Sequence, residues 1–105
     1  MQTTITARHC EISDPLRDRA ITVMERLGSL ASRAMEIAVV FDTEGIQQTV
    51  ELRLHMGGGD ILVASGEASD HRTALDRAEE KLRRQVERAS ERRRRSRSKQ
   101  PDTPL

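Results

Sequence analysis

Residues 36–66, EIAVVFDTEGIQQTVELRLHMGGGDILVASG, decide the fold: their apolar residues recur at every second position, and glycines fall at the two breaks. Ile37, Val39 and Phe41 take one side of the first run and Ala38, Val40 and Asp42 the other. Glu44-Gly45 makes a turn, after which Val50, Leu52, Leu54 and Met56 alternate with Thr49, Glu51, Arg53 and His55. Such alternation marks a strand with one face buried and one wet. The run Gly57-Gly58-Gly59-Asp60 reads as a hairpin connection, and residues 61–66 as the third strand of a meander.

Working outward, residues 2–8 are β-branched and alternating, with Ile5 and Ala7 on one face, and predict a short leading strand. Ser13-Asp14-Pro15 announces a helix: either polar side chain can cap orphan N–H groups, and proline is tolerated in the first turn. Leu16, Ala20, Val23, Met24 and Leu27 form its apolar stripe, and Gly28 reads as its stop. On the other side, Glu67 to Ser69 is a short loop and Asp70 caps a second helix, whose stripe is Ala74, Leu75, Ala78, Leu82, Val86 and Ala89. That helix is expected to outrun its apolar stripe and fray before Ser96, giving a domain over residues 1–95 and a disordered basic, proline-containing tail over 96–105. The order β-α-β-β-β-α predicts an α+β two-layer sandwich with a four-stranded mixed sheet. A right-handed crossover makes the first two strands parallel, and both helices cover one sheet face.

The net charge of +1 hides an asymmetry. Residues 71–99 hold 12 Lys and Arg against 5 Asp and Glu, whereas residues 1–70 hold 6 against 11. A basic helix on an acidic body predicts an oriented contact with a polyanion, since only one face attracts phosphate. On the second helix Arg77, Lys81, Arg84, Arg88, Arg92 and Arg95 follow three- and four-residue steps and form one stripe. The first helix adds Arg17, Arg19 and Arg26, which a shared helical layer would present on the same surface. The alternative is a solvated helix face partly neutralised by Glu80, Glu87 and Glu91. With about 5 phosphates neutralised, the logarithmic salt slope is about −4. A single aromatic, Phe41, leaves no stacking platform for unpaired bases, so any nucleic-acid contact is to backbone.

Other chemistries are poorly supported by the residues. No run approaches the roughly 20 apolar residues of a membrane span, and Met1-Gln2-Thr3-Thr4 lacks signal-peptide character. One cysteine, Cys10, cannot form an internal disulfide; with the missing signal, this makes the cytoplasm the expected location. His9-Cys10 as a base and nucleophile is disfavoured, since neighbours in a strand point to opposite faces. His9, His55 and His71 lack metal-ligand spacing. The glycine triplet has neither the ending nor the helix of a phosphate loop, nor the glutamine of a release-factor Gly-Gly-Gln motif. No catalytic residue, metal, cofactor or small-molecule substrate is therefore expected.

Ile5, Glu11-Ile12-Ser13, Leu16-Arg17, Leu62-Val63-Ala64-Ser65-Gly66, Asp70, Ala74-Leu75-Asp76, Lys81-Leu82 and Arg84-Gln85 resemble the ribosome hibernation-promoting factor and ribosome-associated inhibitor family, also called sigma-54 modulation proteins. The resemblance spans about residues 1–95 and is to the family's short form, without its C-terminal dimerisation domain. It implies a β-α-β-β-β-α domain that silences translation without catalysis. Such a domain sits in the messenger and tRNA channel of the small ribosomal subunit during dormancy or stress, is monomeric off the ribosome, and contacts rRNA. The family's basic positions fall on Arg17 and Arg26 and on Lys81, Arg84, Arg88 and Arg92; Val23 and Ser29 depart from its basic pattern on the first helix. Two alternatives stay open: a general structured-RNA-binding domain, and a protein-interaction regulator using an acidic sheet face that includes Glu51 and Glu67.

Overall fold

Each periodic segment becomes the element its period predicts. In chain order these are β1 (Gln2–Ala7), α1 (Asp14–Leu30), β2 (Ala34–Glu44), β3 (Gln47–Met56), β4 (Ile61–Ala68) and α2 (His71–Ser98). The computed structural model describes the backbone of residues 1–98 and side chains as far as Arg92. The sheet order is β1-β2-β3-β4, with β1 parallel to β2 and the two hairpins antiparallel. The hairpin glycines are required by backbone geometry: Gly45 has φ 62°, Gly58 105° and Gly59 101°, values at which a Cβ is strained.

One sheet face carries the core. Ile37, Val39 and Phe41 of β2 and Val50, Leu52 and Leu54 of β3 are fully or almost fully buried. They lie beneath Ala20, Val23, Met24 and Leu27 of α1 and Ala74, Leu75, Ala78, Leu82 and Val86 of α2. Both helices thus cover a single sheet face, with α1 over β1 and β2 and α2 over β3 and β4. No polar side chain is buried among the described residues, so this core is held by apolar burial alone.

Boundaries differ from the sequence reading in informative ways. Helix α1 passes through Gly28 to Leu30 and is capped by Ala31, whose N–H bonds Leu27 O at 3.3 Å. Gly28 is not in the left-handed region, so it is no helix stop; it is where the Met1 side chain packs against α1. Strand β4 runs on to Ala68 because Gln48 of β3 is still available to pair with it. His9 and Cys10 lie in a bend after β1, with His9 at φ 56°, and not in a strand. Helix α2 remains helical to Ser98, beyond the expected fraying point, since Ala, Glu and Arg are all good helix formers. Residues 99–105, most of the predicted tail, lie outside the described residues.

Candidate nucleic-acid interface

Three sets of contacts position the basic helix. Asp70 caps α2, its carboxylate accepting from Thr73 N at 2.8 Å and from the Thr73 hydroxyl at 3.0 Å. Those bonds hold the Asp70 carboxyl below the usual aspartate range. The His71 ring packs edge-on to Phe41, and its Nε2 donates to Asp42 O at 2.9 Å, tying the start of α2 to β2. Asp42 is also bonded by His9 Nδ1 at 3.1 Å and Thr43 N at 2.8 Å, and its carboxyl is lowered, chiefly by the histidine bond. Gly66 then lets α2 approach β4 closely: a Cβ there would run into Ala74 O and lie 2.8 Å from Ala78 N.

Seated so closely, one flank of α2 reaches the edge of the sheet. Arg77 Nη1 donates to Glu67 O at 2.6 Å, Lys81 Nζ to Ser65 O at 2.9 Å and Gln85 Nε2 to Val63 O at 2.8 Å. Donors four residues apart on the helix meet carbonyls two residues apart on the strand. The two repeats, about 6.0 Å on a helix and about 6.8 Å on a strand, nearly match. Lys81 and Arg77 are thereby held in place with donors to spare, because an ammonium carries three and a guanidinium five.

The remaining predicted residues fall into separate places. Arg84 pairs with Glu80 at 2.7 Å, four residues away and exposed, a contact worth about 0.3–0.5 kcal/mol. Arg88 and Arg92 are exposed and have no partner among the described residues; the side chain of Arg95 lies outside them. The apolar stripe ends at Val86 while the helix reaches Ser98, so its last twelve residues extend about 18 Å without a core to cover.

The first helix does not join that flank. Arg26 forms a two-point pair with Glu79, at 2.9 and 3.0 Å, and Arg19 donates twice to Asp76, at 3.1 and 2.8 Å. These bonds place both arginines in the seam between the helices, and Glu79 raises the Arg26 pKa further through hydrogen bonding and charge. Arg17 is exposed and, two residues from Arg19, points about 160° around α1 from the seam. Of the family-pattern departures, Val23 is fully buried and the Ser29 hydroxyl bonds Glu25 O. The single surface expected from both helices is therefore divided: the α2 basic stripe is anchored on β4 through Arg77 and Lys81, and the α1 arginines in the seam are already paired.

The open sheet face is acidic at one end, where Asp42, Glu44, Glu51 and Glu67 surround a shallow hollow with Arg8 at its rim. Among the described residues no group of three or more His, Cys, Asp or Glu has metal-binding geometry, and no helix is long and apolar enough to cross a membrane. Gln85, Gly66 and the β4 carbonyls position the α2 flank and were not among the candidate site residues of the sequence reading. The four-residue spacing of Arg77, Lys81 and Gln85 is a sequence signal, but its carbonyl targets are set by the position of β4.

Residues 3–94 match the model of the family described as Sigma 54 modulation protein / S30EA ribosomal protein. The chain is 34% identical over 91 residues to the ribosome hibernation promoting factor of Pseudomonas putida, covering 87% of this chain and 88% of that one. It is also 34% identical over 86 residues to the protein of the same name in Escherichia coli K12, covering 82% and 90%. Among solved structures, the N-terminal domain of Thermus thermophilus Protein Y is similar, with TM-score 0.73 and 28% identity over 84% of this chain and 98% of that one. A ribosomal subunit interface protein from Coxiella burnetii shares the fold, with TM-score 0.76 and 19% identity over 86% and 98%.

Proposed function

Because the chain belongs to the Sigma 54 modulation protein / S30EA ribosomal protein family, we propose that it is a ribosome-binding translation silencer. It acts by occupancy and not by catalysis, working in the cytoplasm during dormancy or stress. Its relatives' name, ribosome hibernation promoting factor, supports the ribosome as target. The observation that carries the proposal is the flank of α2, where Lys81 is seated on the β4 edge and Arg84, Arg88 and Arg92 continue along the same helix face at three- and four-residue steps. These residues contact rRNA phosphates in the messenger and tRNA channel of the small subunit. Arg77 supports the row from the second turn of α2, and Arg95 extends it.

The division of charge gives the contact a direction. Carboxylates of the open sheet face are repelled by rRNA, so the domain enters a phosphate-lined channel with the α2 flank leading. Within the seam, Arg26 reaches phosphate only by leaving Glu79, which makes α1 the lesser contributor; Arg17 acts separately. The domain is monomeric off the ribosome.

Cosedimentation with purified small subunits at rising salt tests this, comparing the chain with a variant carrying Glu at 81, 84, 88 and 92. The variant is expected to stay in the supernatant at salt where the unaltered chain pellets, and reporter translation is expected to escape inhibition. Undiminished pelleting by the variant rejects the α2 flank. In that case the acidic hollow of Asp42, Glu44, Glu51 and Glu67 becomes the surface to examine, as a protein-interaction face.

A further inference from the structure

We infer that the outer edge of β4 is itself a phosphodiester-binding row, in which the backbone N–H groups of Val63 and Ser65 act together with Lys81. This rests on the α2 flank facing RNA, as proposed above, and adds a backbone site to it. A strand residue sends its N–H and C=O toward the same side. The carbonyls of Val63, Ser65 and Glu67 receive α2 side chains, so their N–H groups also point away from β3, and among the described residues no strand lies beyond β4. The Met56 N–H to Asp60 O bond at 2.8 Å fixes the same phase, since it makes 62, 64 and 66 the residues bonded to β3.

An ordinary sheet edge alternates donors and acceptors and therefore suits another strand. Here the acceptors are covered by an arginine, a lysine and a glutamine, while the donors of Val63 and Ser65 have no partner among the described residues. What remains is an edge presenting donors alone, beside two cations, and this matches an anion and mismatches a peptide. Sheet edges with that character bind phosphate through main-chain amides, and a hydrogen bond to a charged oxygen is stronger than one between neutral groups. Lys81 sits at Ser65 with two donors unspent, and Arg84 and Arg88 follow along the same flank. Glu67 puts a carboxylate at one end, and at the other the outward Ile61 carbonyl stays uncovered opposite Ala89, which leaves Val63 and Ser65 as the row.

Two measurements test the row. In the first, wild-type 15N-labelled protein is titrated with a 12-base-pair RNA duplex, and amide shifts are followed. The Val63 and Ser65 N–H protons are expected to move downfield well beyond those of Leu62 and Ala64, which are bonded to β3. The second compares binding of the same duplex by Lys81→Gln and Ser65→Pro variants, the latter checked for an unaltered fold by circular dichroism. Proline is tolerated where an edge N–H faces solvent.

Lys81→Gln is expected to flatten the logarithmic salt slope by about 0.7–0.9. Ser65→Pro is expected to weaken binding about tenfold with the slope unchanged, because a neutral donor releases no counterion. The inference is overturned if Val63 and Ser65 shift no more than Leu62 and Ala64 while α2 amides move. It is equally overturned if a folded Ser65→Pro variant binds the duplex as tightly as the parent. If neither the α2 amides nor the Lys81→Gln slope responds, the RNA reading of the whole flank fails instead.

Discussion

Gly66→Ala provides the sharpest test of how the interface is held. The added methyl would collide with Ala74 O, stand 2.8 Å from Ala78 N and lie 3.0 Å from Arg77 Cβ. Two of those three atoms are helix backbone, so no side-chain rotation relieves the overlap and α2 must retreat from the sheet. Retreat loosens the packing of Ala74, Leu75, Ala78 and Leu82, all fully buried. Overpacking of this kind costs about 1–3 kcal/mol, and more where backbone must move. Reducing the freedom of the unfolded chain returns about 0.4–1 kcal/mol. A net loss of about 2 kcal/mol is expected, and at about 4–8 °C per kcal/mol for a domain of this size Tm falls by roughly 8–16 °C. Thermal and urea unfolding followed by far-ultraviolet circular dichroism measure it, with Ser65→Ala as the exposed control. RNA binding should weaken too, because Arg77 and Lys81 lose their seats on Glu67 O and Ser65 O. A Gly66→Ala variant melting within 2 °C of the parent would refute the idea that close helix approach at Gly66 sets the interface (roughly a 0.5 kcal/mol threshold).

Further expectations follow from other contacts. Replacing Glu79 by Gln should change stability by less than about 1 kcal/mol, since Arg26 is half exposed; RNA affinity should rise, as an arginine is released in the seam. Asp70→Asn should lower Tm at neutral pH. The Asp70 carboxyl is depressed in the folded state, so its contribution is present above the ordinary aspartate range and vanishes as pH falls through the folded value; melting curves of parent and variant should converge in acid. A chain ending at Ser90 should melt within about 0.5 kcal/mol of the parent, because nothing beyond Val86 is fully buried among the described residues. Its pelleting with small subunits should nevertheless fail at lower salt. Phe41→Ala should remove about 3–5 kcal/mol, a large share of the stability of any domain this small.

Local period carried the fold into view. Alternation over residues 36–66 and the stripes from Leu16 to Leu27 and Ala74 to Val86 reappear as strands and helices, because each period leaves one face to bury. Where a reading went astray, a distant partner decided the outcome. Gly28 resembled a helix end but serves Met1, and Arg19 and Arg26 resembled free cations but meet Asp76 and Glu79 more than fifty residues away. No local pattern records such pairs. The basic stripe itself was legible, whereas its anchoring on β4 was not, since an edge strand is defined by what fails to lie beside it.

The ladder from α2 to β4 behaves as a vernier. A helix advances about 6.0 Å in four residues and a strand about 6.8 Å in two, so each rung slips by about 0.8 Å relative to the last. Arg77, Lys81 and Gln85 are flexible enough to absorb the accumulated lag over three rungs. The fourth would fall at Ala89 against Ile61, and there the sequence offers a methyl group with no donor. The graduations of helix and strand have by then drifted out of step. Beyond that point α2 is released from the ruler it grew along, and Arg92 stands exposed on a turn that no strand carbonyl holds among the described residues.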